Sequence, residues 1–369
     1  MRILLSGGGT AGHINPAVAI AKYALGADSK TEVLFVGTKG GMESTLIPKE
    51  GFGIEFVNVE GLSLKPSVKS AVSAVKMAAG IVKSVGIVKK FKPDIVVGTG
   101  GYVCVPAVMA AHLCRIPSVI HEQNVFPGSA VKFLADKADV TAISFDESRK
   151  YIKKARELLL TGNPIRPAIL KTDYHTARKK LGIGSKKLVV SFGGSLGAMR
   201  INDVMIDFIE KNASNGDMLI YFGTGRRDYD RCAAELEKRS VRTGGSVKLL
   251  PYIENMDDVM NAADLIICRS GAITLAEICA IGRPSVLIPS PNVTNNHQYY
   301  NAKALSDFGA AITVCEKDFD VNSLAKAVYS VIYDEGKAVR MAQRAKEMGI
   351  SDASEKLYKR MTQLVNKSI

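Results

Sequence analysis

His13 and Glu277 have the side chains in this sequence that are best suited to chemistry or to ligand binding. His13 ends a glycine-rich run, residues 7–13, where a neutral imidazole could accept a proton from a hydroxyl group near neutral pH. Glu277 lies about a turn and a half into a predicted helix, where its carboxylate could accept hydrogen bonds from a ribose diol. A structural histidine and a solvated helix glutamate are the alternative interpretations.

The segment around Glu277 predicts a strand that delivers a helix to the edge of a sheet. Residues 265–268 are an apolar run typical of a buried strand, and a glycine-containing turn separates them from a helical pattern at 272–280. Backbone amides and the positive end of the helix dipole would gather at that helix start, which suits the phosphates of a nucleotide. The next strand and its polar loop lead to His297 and Gln298 at the same predicted edge.

Three further segments combine an apolar strand, a glycine-rich turn and a helix. In the first, Gly7, Gly9 and Gly12 match the pattern G-x-G-x-x-G. The helices after the three turns are predicted at residues 17–25, up to residue 113, and from about residue 200. Four such units predict an α/β protein with doubly wound parallel sheets, whose ligand crevice lies at the carboxyl ends of the strands. Two such sheets facing each other would form a cleft.

The first glycine turn also resembles a dinucleotide-binding turn, but the acidic residue that such a site requires is displaced. The second predicted strand, residues 33–36, runs into residues 37–40, and the nearest acid, Glu43, follows several residues later. This displacement disfavours an NAD-dependent oxidoreductase.

The composition allows two domains and favours a polyanionic partner. The chain has 369 residues, 47% of them hydrophobic, which suffices for two cores. Its net charge of +13 fits nucleic acid, an anionic membrane surface or phosphorylated substrates, and charge alone does not choose among them. The six cysteines form no CxxC pair, which favours a reducing cytoplasm. Because neither a signal peptide nor a long uninterrupted apolar run is evident, membrane contact is expected to be peripheral.

Residues 161–167 predict a domain boundary, because two prolines and a glycine interrupt the chain there. The predicted domains are residues 1–163 and 164–351, and a last helix at about 352–369 could pack back on the first domain. Arg166 is either a surface residue or a guanidinium placed for phosphate or for domain closure.

Residues 66–93 predict a helix with a lysine stripe. The stripe consists of Lys69, Lys76, Lys83 and Lys90, which recur every seven residues beside a broad apolar arc. Part of this arc must pack on a sheet, and the remainder beside the lysines suits the headgroup zone of an anionic bilayer. The alternatives are a solvated lysine face on an ordinary covering helix, and a break into two helices at Gly80 or Gly86.

The remaining polar clusters do not predict a metal site. His121 begins the sequence HEQN at the end of another strand-like run, and the five histidines lack the spacing of a zinc site. The acidic triplets at 228–230 and 318–320 adjoin predicted helix starts and are interpreted as residues that cap or solvate them. No metal or other cofactor is expected, and backbone amides with helix dipoles would stabilise a departing diphosphate.

Eight segments, taken in order, resemble the MurG family of bacterial glycosyltransferases. They are GGGTAGHINPA, GTGGYV, HEQN, GNPIRP, GGSLGA, YIENM, RSGAITLAE and NHQYYNA. The resemblance implies a GT-B fold with the acceptor and membrane contacts in the N-terminal domain and the donor in the C-terminal domain. It also implies transfer of N-acetylglucosamine from UDP-GlcNAc to the C4 hydroxyl of the muramic acid of undecaprenyl-diphosphate-linked lipid I. The product is lipid II, formed with inversion during peptidoglycan synthesis, which supports cell shape and division.

The resemblance further implies roles for individual residues, with His13 as the candidate base. The residues expected at the donor or beside it are Thr10, Gly12, Asn124, Arg166, Ser195, Ile253, Ala272, Ile273, Thr274, Glu277 and Gln298. Among these, Ser195 is expected near the diphosphate, Ile253 at the uracil and Glu277 at the ribose. Gly100, Gly101 and Tyr102 are expected to bind the acceptor diphosphate.

The expected partners are therefore UDP-GlcNAc, lipid I and the cytoplasmic face of the anionic membrane, with cell-wall or division machinery as a further partner and no nucleic acid. The expected location is the cytoplasm, peripheral on the inner face of the cell membrane. Two competing functions are a UDP-GlcNAc 2-epimerase and a non-catalytic nucleotide-sugar-binding membrane adaptor.

Overall fold

The structure, a computed structural model, describes residues 1–61, 67–194 and 197–368, and side chains at all of these except Lys69 and Ser368. The chain divides into two units. The first comprises Met1–Ile165 together with Ile350–Ile369, and the second comprises Arg166–Gly349.

Seven parallel strands form the sheet of the first unit. They are β1 (Arg2–Ser6), β2 (Glu32–Gly37), β3 (Gly53–Phe56), β4 (Ile95–Gly98), β5 (Ser118–Glu122), β6 (Val140–Ile143) and β7 (Leu158–Leu160), in the spatial order β3-β2-β1-β4-β5-β6-β7. Its helices are α1 (Ala11–Ala27), α2 (Glu43–Lys49), α3 (Val68–Phe91), α4 (Cys104–Cys114) and α5 (Ser129–Leu134). The central strands read as continuous apolar runs because helices cover both faces of the sheet.

Alternate residues of β1 show this double covering. Ile3 and Leu5 pack with α1 on one face, whereas Leu4 packs with α3 and α4 on the other. All three are fully buried.

The second unit has six parallel strands. They are β8 (Lys187–Phe192), β9 (Met218–Gly223), β10 (Val247–Leu250), β11 (Leu265–Cys268), β12 (Ser285–Leu287) and β13 (Ala311–Thr313), in the spatial order β10-β9-β8-β11-β12-β13. Its helices are α6 (Tyr174–Leu181), α7 (Met199–Asn212), α8 (Tyr229–Lys238), α9 (Met256–Ala262), α10 (Ala272–Ile281), α11 (His297–Asp307), α12 (Val321–Ile332) and α13 (Glu335–Met348).

Both sheets reverse their strand order beside the first strand, which confirms the predicted doubly wound architecture. The reversal lies between β1 and β4 in the first unit and between β8 and β11 in the second. Because all strands of a parallel sheet end at the same edge, the glycine turns after β1 and β4 come together, as do those after β8 and β11.

The first helix differs from its predicted bounds, whereas the last lies close to its own. The first begins at Ala11 rather than near residue 17, because Thr10 is extended and the chain turns helical directly after it, through glycine and polar residues without apolar periodicity. The last helix, α14 (Ala353–Ser368), lies in the first unit and buries Leu357 and Met361 against α1.

Helix α3 is a single helix of 24 residues, with Ser67 as its N-cap accepting from the Ser70 amide. By length and composition alone it could cross a membrane, with a mean hydropathy of 1.6 over its most apolar window, of which 33% is buried. In this fold one side of it is committed to the core, since Met77 and Val88 pack on the neighbouring helix and sheet.

The two glycines of α3 differ in their surroundings, and this predicts opposite effects on stability. A Cβ at Gly80 would lie 2.4 Å from Val59 Cγ1, so Gly80→Ala should lower the free energy of unfolding by about 1–3 kcal/mol through overpacking. Apart from the chain neighbours and the helix's own backbone, no atom of the described residues lies within 4 Å of a Cβ at Gly86, so Gly86→Ala should raise stability by about 0.5–1 kcal/mol through helix propensity. Urea unfolding of the two variants beside the wild type tests this. Equal effects would refute the close approach.

Candidate functional site

The turn after β1 is stabilised by hydrogen bonds to Glu43, a residue that is 1% exposed. Glu43 Oε2 accepts from the Gly9 amide at 3.1 Å, and Oε1 accepts from the amide and hydroxyl of Thr38 at 3.0 and 2.6 Å. A Cβ at Gly8 would lie 2.6 Å from the Glu43 carboxyl carbon, which explains the glycine there. The Gly9 amide is thus already paired within the protein. The Glu43 carboxylate therefore stabilises the turn after β1 through these hydrogen bonds.

These hydrogen bonds predict that Glu43 stabilises the fold only while its carboxylate is ionised, so that acid removes the stabilisation. Burial raises the pKa of Glu43, but its hydrogen bonds outweigh burial and the net pKa lies below the usual 4.5. The stabilisation is therefore complete above pH 4.5 and is lost as the pH falls through the lowered value. Glu43→Gln should cost about 1–3 kcal/mol at neutral pH, and the deficit should narrow below pH 4.5. Urea unfolding across this range tests it, with Glu50→Gln on the exposed end of α2 as the control. If the stability difference between the wild type and Glu43→Gln did not depend on pH, the stabilising role of the Glu43 carboxylate would be contradicted.

His13 lies in the first turn of α1, and both its backbone carbonyl and its imidazole ring make hydrogen bonds. Its carbonyl oxygen accepts from the Thr99 hydroxyl at 2.7 Å, and its Nδ1 lies 2.9 Å from Gln123 Oε1. The ring lies against the turn after β4, where Gly100 and Gly101 have φ of 103° and 73°. A Cβ at Gly100 would lie 2.7 Å from His13 Nδ1. The structure therefore brings His13 together with this turn and with Gln123 of the HEQN segment, which the sequence placed at this sheet edge without an individual role.

The other residues predicted at this edge surround the same turns. Thr10 and Gly12 are exposed at the start of α1, and the Thr10 side chain makes no capping hydrogen bond. Tyr102 is half-buried beside the Gly9 backbone. The buried Glu122 carboxylate accepts from the Asn124 amide at 2.9 Å and from its side chain at 3.1 Å, which orients Asn124.

In the second unit, Arg166 and Glu277 pair with each other. Arg166 Nε donates to Glu277 Oε1 at 2.7 Å and Nη2 donates to Oε2 at 3.2 Å, while Nη1 lies 2.9 Å from Asp257 Oδ1. The Glu277 side chain is 7% exposed, so the bidentate pair neutralises a nearly buried carboxylate. Two residues that the sequence predicted at different parts of the donor thus form one unit, and Asp257 was not predicted.

Helix α10 starts at the turn after β11, beside this pair. Its N-cap residue, Gly271, has no side chain to accept from the first-turn amides. Ala272 is buried, and Ile273 and Thr274 are half-buried. Ser270 is fully buried, and its hydroxyl has no partner in the part of the chain that the structure describes. A helix start of this kind suits an anionic group.

Gln298 and Ile253 have restricted roles. Gln298 Oε1 accepts from the Ser290 amide at 2.9 Å, which leaves its NH2 group as a donor. The Ile253 side chain is 1% exposed, so any contact with a base would use its backbone. Ser195, predicted near the diphosphate, lies outside the described residues.

The lysines of the stripe on α3 have different surroundings. Lys76 pairs with Glu60, whereas Lys83 and Lys90 are exposed, and the Lys69 side chain lies outside the description. The residues of the apolar arc also have different surroundings. Its exposed members are Val72, Val75 and Val82, of which Val75 and Val82 are 70% and 73% exposed. An apolar surface bordered by lysines therefore lies opposite the packed side of α3.

The acidic triplets behave as local helix-start contacts. Asp320 caps α12 in a capping box with Ser323. Asp228 stands at the start of α8 but its side chain makes no capping hydrogen bond, so of the two predicted roles capping does not apply to that triplet. It pairs instead with Arg231 and accepts from Asn202, and these hydrogen bonds lower its pKa to about 2 despite burial. No group of side chains that could hold a metal ion occurs among residues 1–61, 67–194 and 197–368.

The two doubly wound sheets with glycine turns at their switch points are the two domains of a GT-B fold, and the matched family models define the chain as a glycosyltransferase of this class. Residues 3–143 match the glycosyltransferase family 28 N-terminal domain, and residues 188–357 match the C-terminal domain of that family. A crystal structure of MurG from Acinetobacter baumannii is similar over 98% of this chain and 99% of that chain, with a TM-score of 0.79 and 26% identity.

Two curated relatives narrow the class. Both are named UDP-N-acetylglucosamine–N-acetylmuramyl-(pentapeptide) pyrophosphoryl-undecaprenol N-acetylglucosamine transferase. The one from Acetivibrio thermocellus is 43% identical, covering 97% of this chain and 96% of its own length. The one from Caldanaerobacter subterraneus is 45% identical, covering 97% and 98%. The chain belongs to the MurG family.

Proposed function

We propose that this protein transfers N-acetylglucosamine from UDP-GlcNAc to the C4 hydroxyl of the muramic acid of lipid I, forming lipid II with inversion. The observation that carries the proposal is the full-length similarity to transferases of that name, at 43% and 45% identity. The arrangement around His13 supplies a matching chemical group at the switch point of the first sheet.

The acceptor is assigned to the first domain, residues 1–163. The turns that carry Gly100, Gly101 and Tyr102 meet the start of α1 at one sheet edge, and their backbone amides suit the diphosphate of the lipid. Thr10 and Gly12 are exposed beside them, where the transferred sugar would be placed. His13 would take the proton of the acceptor hydroxyl as the new bond forms.

The donor is assigned to the second domain, residues 164–351. Glu277 would accept from the ribose hydroxyls with the lone pairs that Arg166 leaves unused, and the start of α10 at Ala272, Ile273 and Thr274 would receive the nucleotide. Ile253 would meet the uracil through its backbone, and Gln298 would donate to a sugar hydroxyl. Arg166 and Ser195 would contact the diphosphate, and Asn124 would approach the donor sugar.

The mechanism is a direct displacement at the anomeric carbon. The acceptor oxygen attacks the face opposite the UDP leaving group, which inverts the configuration, and the proton passes to His13. Helix dipoles, backbone amides and the Arg166 guanidinium would offset the charge that develops on the departing diphosphate.

The deciding experiment incubates the protein with labelled UDP-GlcNAc, with and without a lipid I analogue. UDP release and labelled disaccharide product that both require the analogue support the proposal. Release of UDP without an acceptor, together with a change at C2 of the sugar, would assign an epimerase instead. Nucleotide binding without turnover in either condition would assign an adaptor.

We further propose that α3 docks on the cytoplasmic face of the membrane. Val75 and Val82 expose apolar surface that the described residues of the first unit leave uncovered, and Lys83 and Lys90 border it. Apolar side chains between lysines suit the headgroup zone of an anionic bilayer. The protein would then be cytoplasmic and peripheral, close to its lipid-linked acceptor.

Charge reversal tests this docking. At about 1 kcal/mol per basic residue, Lys83→Glu with Lys90→Glu should weaken binding to phosphatidylglycerol vesicles by roughly 30-fold or more, and leave turnover of a soluble acceptor analogue unchanged. The control is Lys238→Glu with Lys326→Glu, which changes the net charge equally on α8 and α12. Vesicle sedimentation measures both. Equal losses in the two pairs would show that only net charge matters.

A further inference from the structure

A chain of hydrogen bonds runs from His13 into the core of the first unit. His13 Nδ1 lies 2.9 Å from Gln123 Oε1, Gln123 Nε2 lies 2.9 Å from His121 Nδ1, and His121 Nε2 lies 3.0 Å from the Gly162 carbonyl oxygen. Gln123 is 2% exposed and His121 is fully buried, so solvent does not compete for these contacts. The chain ends on a backbone carbonyl, which can only accept a hydrogen bond, and this determines the direction of every bond in it.

The protonation of His121 follows from its two partners at Nε2. The Gly162 carbonyl accepts only, and the Ser144 hydroxyl, 3.3 Å away, already donates to the Glu122 carbonyl at 2.7 Å. His121 Nε2 must therefore carry a proton and donate it. Burial lowers the pKa of His121 to about 4, so the ring is neutral at physiological pH and its Nδ1 has only a lone pair.

The amide orientation of Gln123 is determined in the same way. Its Nε2 faces three acceptors: His121 Nδ1 at 2.9 Å, the Thr99 carbonyl at 2.8 Å and the His121 carbonyl at 3.0 Å. A flipped amide would place its oxygen against all three. The oxygen therefore faces His13, and His13 Nδ1 must donate to it.

We propose that Gln123, oriented by His121, holds neutral His13 as the Nδ1–H tautomer and so leaves the lone pair on Nε2 to act as the base. This inference rests on the proposed function, because the base needs a hydroxyl to act on. Gln123 and His121 are positioning residues: the proton of the acceptor hydroxyl moves to His13 Nε2, the new glycosidic bond takes the oxygen electron pair, and UDP leaves with the electrons of the broken bond. No proton passes along the chain, since each interior donor keeps its own hydrogen.

The tautomer can be measured without activity. Long-range proton–nitrogen correlation spectra of the full-length protein with nitrogen-15 histidine distinguish the two neutral tautomers, and loss of one ring signal set in His13→Ala assigns His13 among the five histidines. At a pH where the ring is neutral, His13 should show the proton on Nδ1. A proton on Nε2 would overturn the proposal, whatever the enzyme does.

The second arm is kinetic. Gln123→Met preserves length but removes the acceptor, so the His13 tautomer should revert towards Nε2–H and kcat should fall about 10–100-fold with little change in either KM. Thr141→Val is the folding control, because this buried hydroxyl on β6 has no partner among the described residues. An unchanged tautomer or an unchanged kcat in folded Gln123→Met would refute the positioning role.

Gln123→Glu separates the hydrogen bond to His13 from a general loss of packing. The glutamate oxygen that replaces Nε2 faces the same three acceptors and is expected to carry a proton, while the other oxygen still accepts from His13 Nδ1. Gln123→Glu should therefore keep the Nδ1–H tautomer and most of kcat, in contrast to Gln123→Met, and loss of that tautomer in the folded Gln123→Glu variant would count against the contact. If the wild type shows the Nδ1–H tautomer but has no transferase activity, the geometry stands and the proposed function fails, so the two results separate.

Discussion

Replacement of His13 by alanine is expected to lower kcat by about 10²–10⁴-fold while the KM for UDP-GlcNAc changes little. His13 belongs to the first unit, at the turns assigned to the acceptor, whereas the nucleotide is assigned to residues of the second unit. Removing it takes away the proton acceptor and leaves the Arg166–Glu277 pair intact. Initial rates at varied donor and acceptor concentrations separate the two parameters.

The matched control is His112→Ala, which removes an exposed histidine on α4 in the same unit. Its kinetic constants should stay near those of the wild type. If His13→Ala retained full turnover, His13 would not be the base. If instead the donor KM rose while kcat held, the assignment of this edge to the acceptor would be wrong.

Replacement of Glu277 by alanine is expected to raise the donor KM by about 10–100-fold and to change kcat much less, because a hydrogen bond to a charged group contributes about 1.5–3 kcal/mol. The carboxylate would accept from the ribose throughout the reaction, so its loss weakens the ground state and the transition state alike. Calorimetric titration with UDP gives the binding component directly. Glu237→Ala, on the exposed side of α8, is the control for a lost surface carboxylate.

Arg166→Ala is needed to separate the ribose contact from the ion pair. Because Arg166 and Glu277 touch, their effects on UDP affinity should be non-additive by about 0.5–3 kcal/mol in a double-mutant cycle. Additive effects would mean that the pair is not coupled during binding. An unchanged UDP affinity in Glu277→Ala would remove the ribose role.

The sequence predicted the strand, glycine-turn and helix units well because their signals are local. Residues 265–280, for example, predict a buried strand, a turn and a helix, and the structure has β11 and α10 there. Because the sequence signals are local, the start of α1 was predicted too late in the chain. Gly12 and His13 show no apolar periodicity, yet they are helical, because the turn after β1 starts the helix directly after Thr10.

Three contacts at the candidate sites had no sequence signal, since each joins residues that are distant in the chain. Gln123 meets His13 across 110 residues, Glu43 meets Gly9 across 34, and Arg166 meets Glu277 across 111. Residue types alone offer many partners for an amide or a carboxylate. Only the register of neighbouring strands and the burial of their ends select one of them.

The amino-acid sequence by itself determined the two α/β units, the glycine turns at their strand ends and the family. Backbone preferences and hydrophobic periodicity depend on residues that are close together in the chain, so they can be recognised without the tertiary structure. The tertiary structure alone decided which nitrogen of His13 is free, which carboxylate braces the first turn and which side of α3 stays uncovered. These depend on hydrogen-bond directions and burial, and both arise only when distant segments pack against one another.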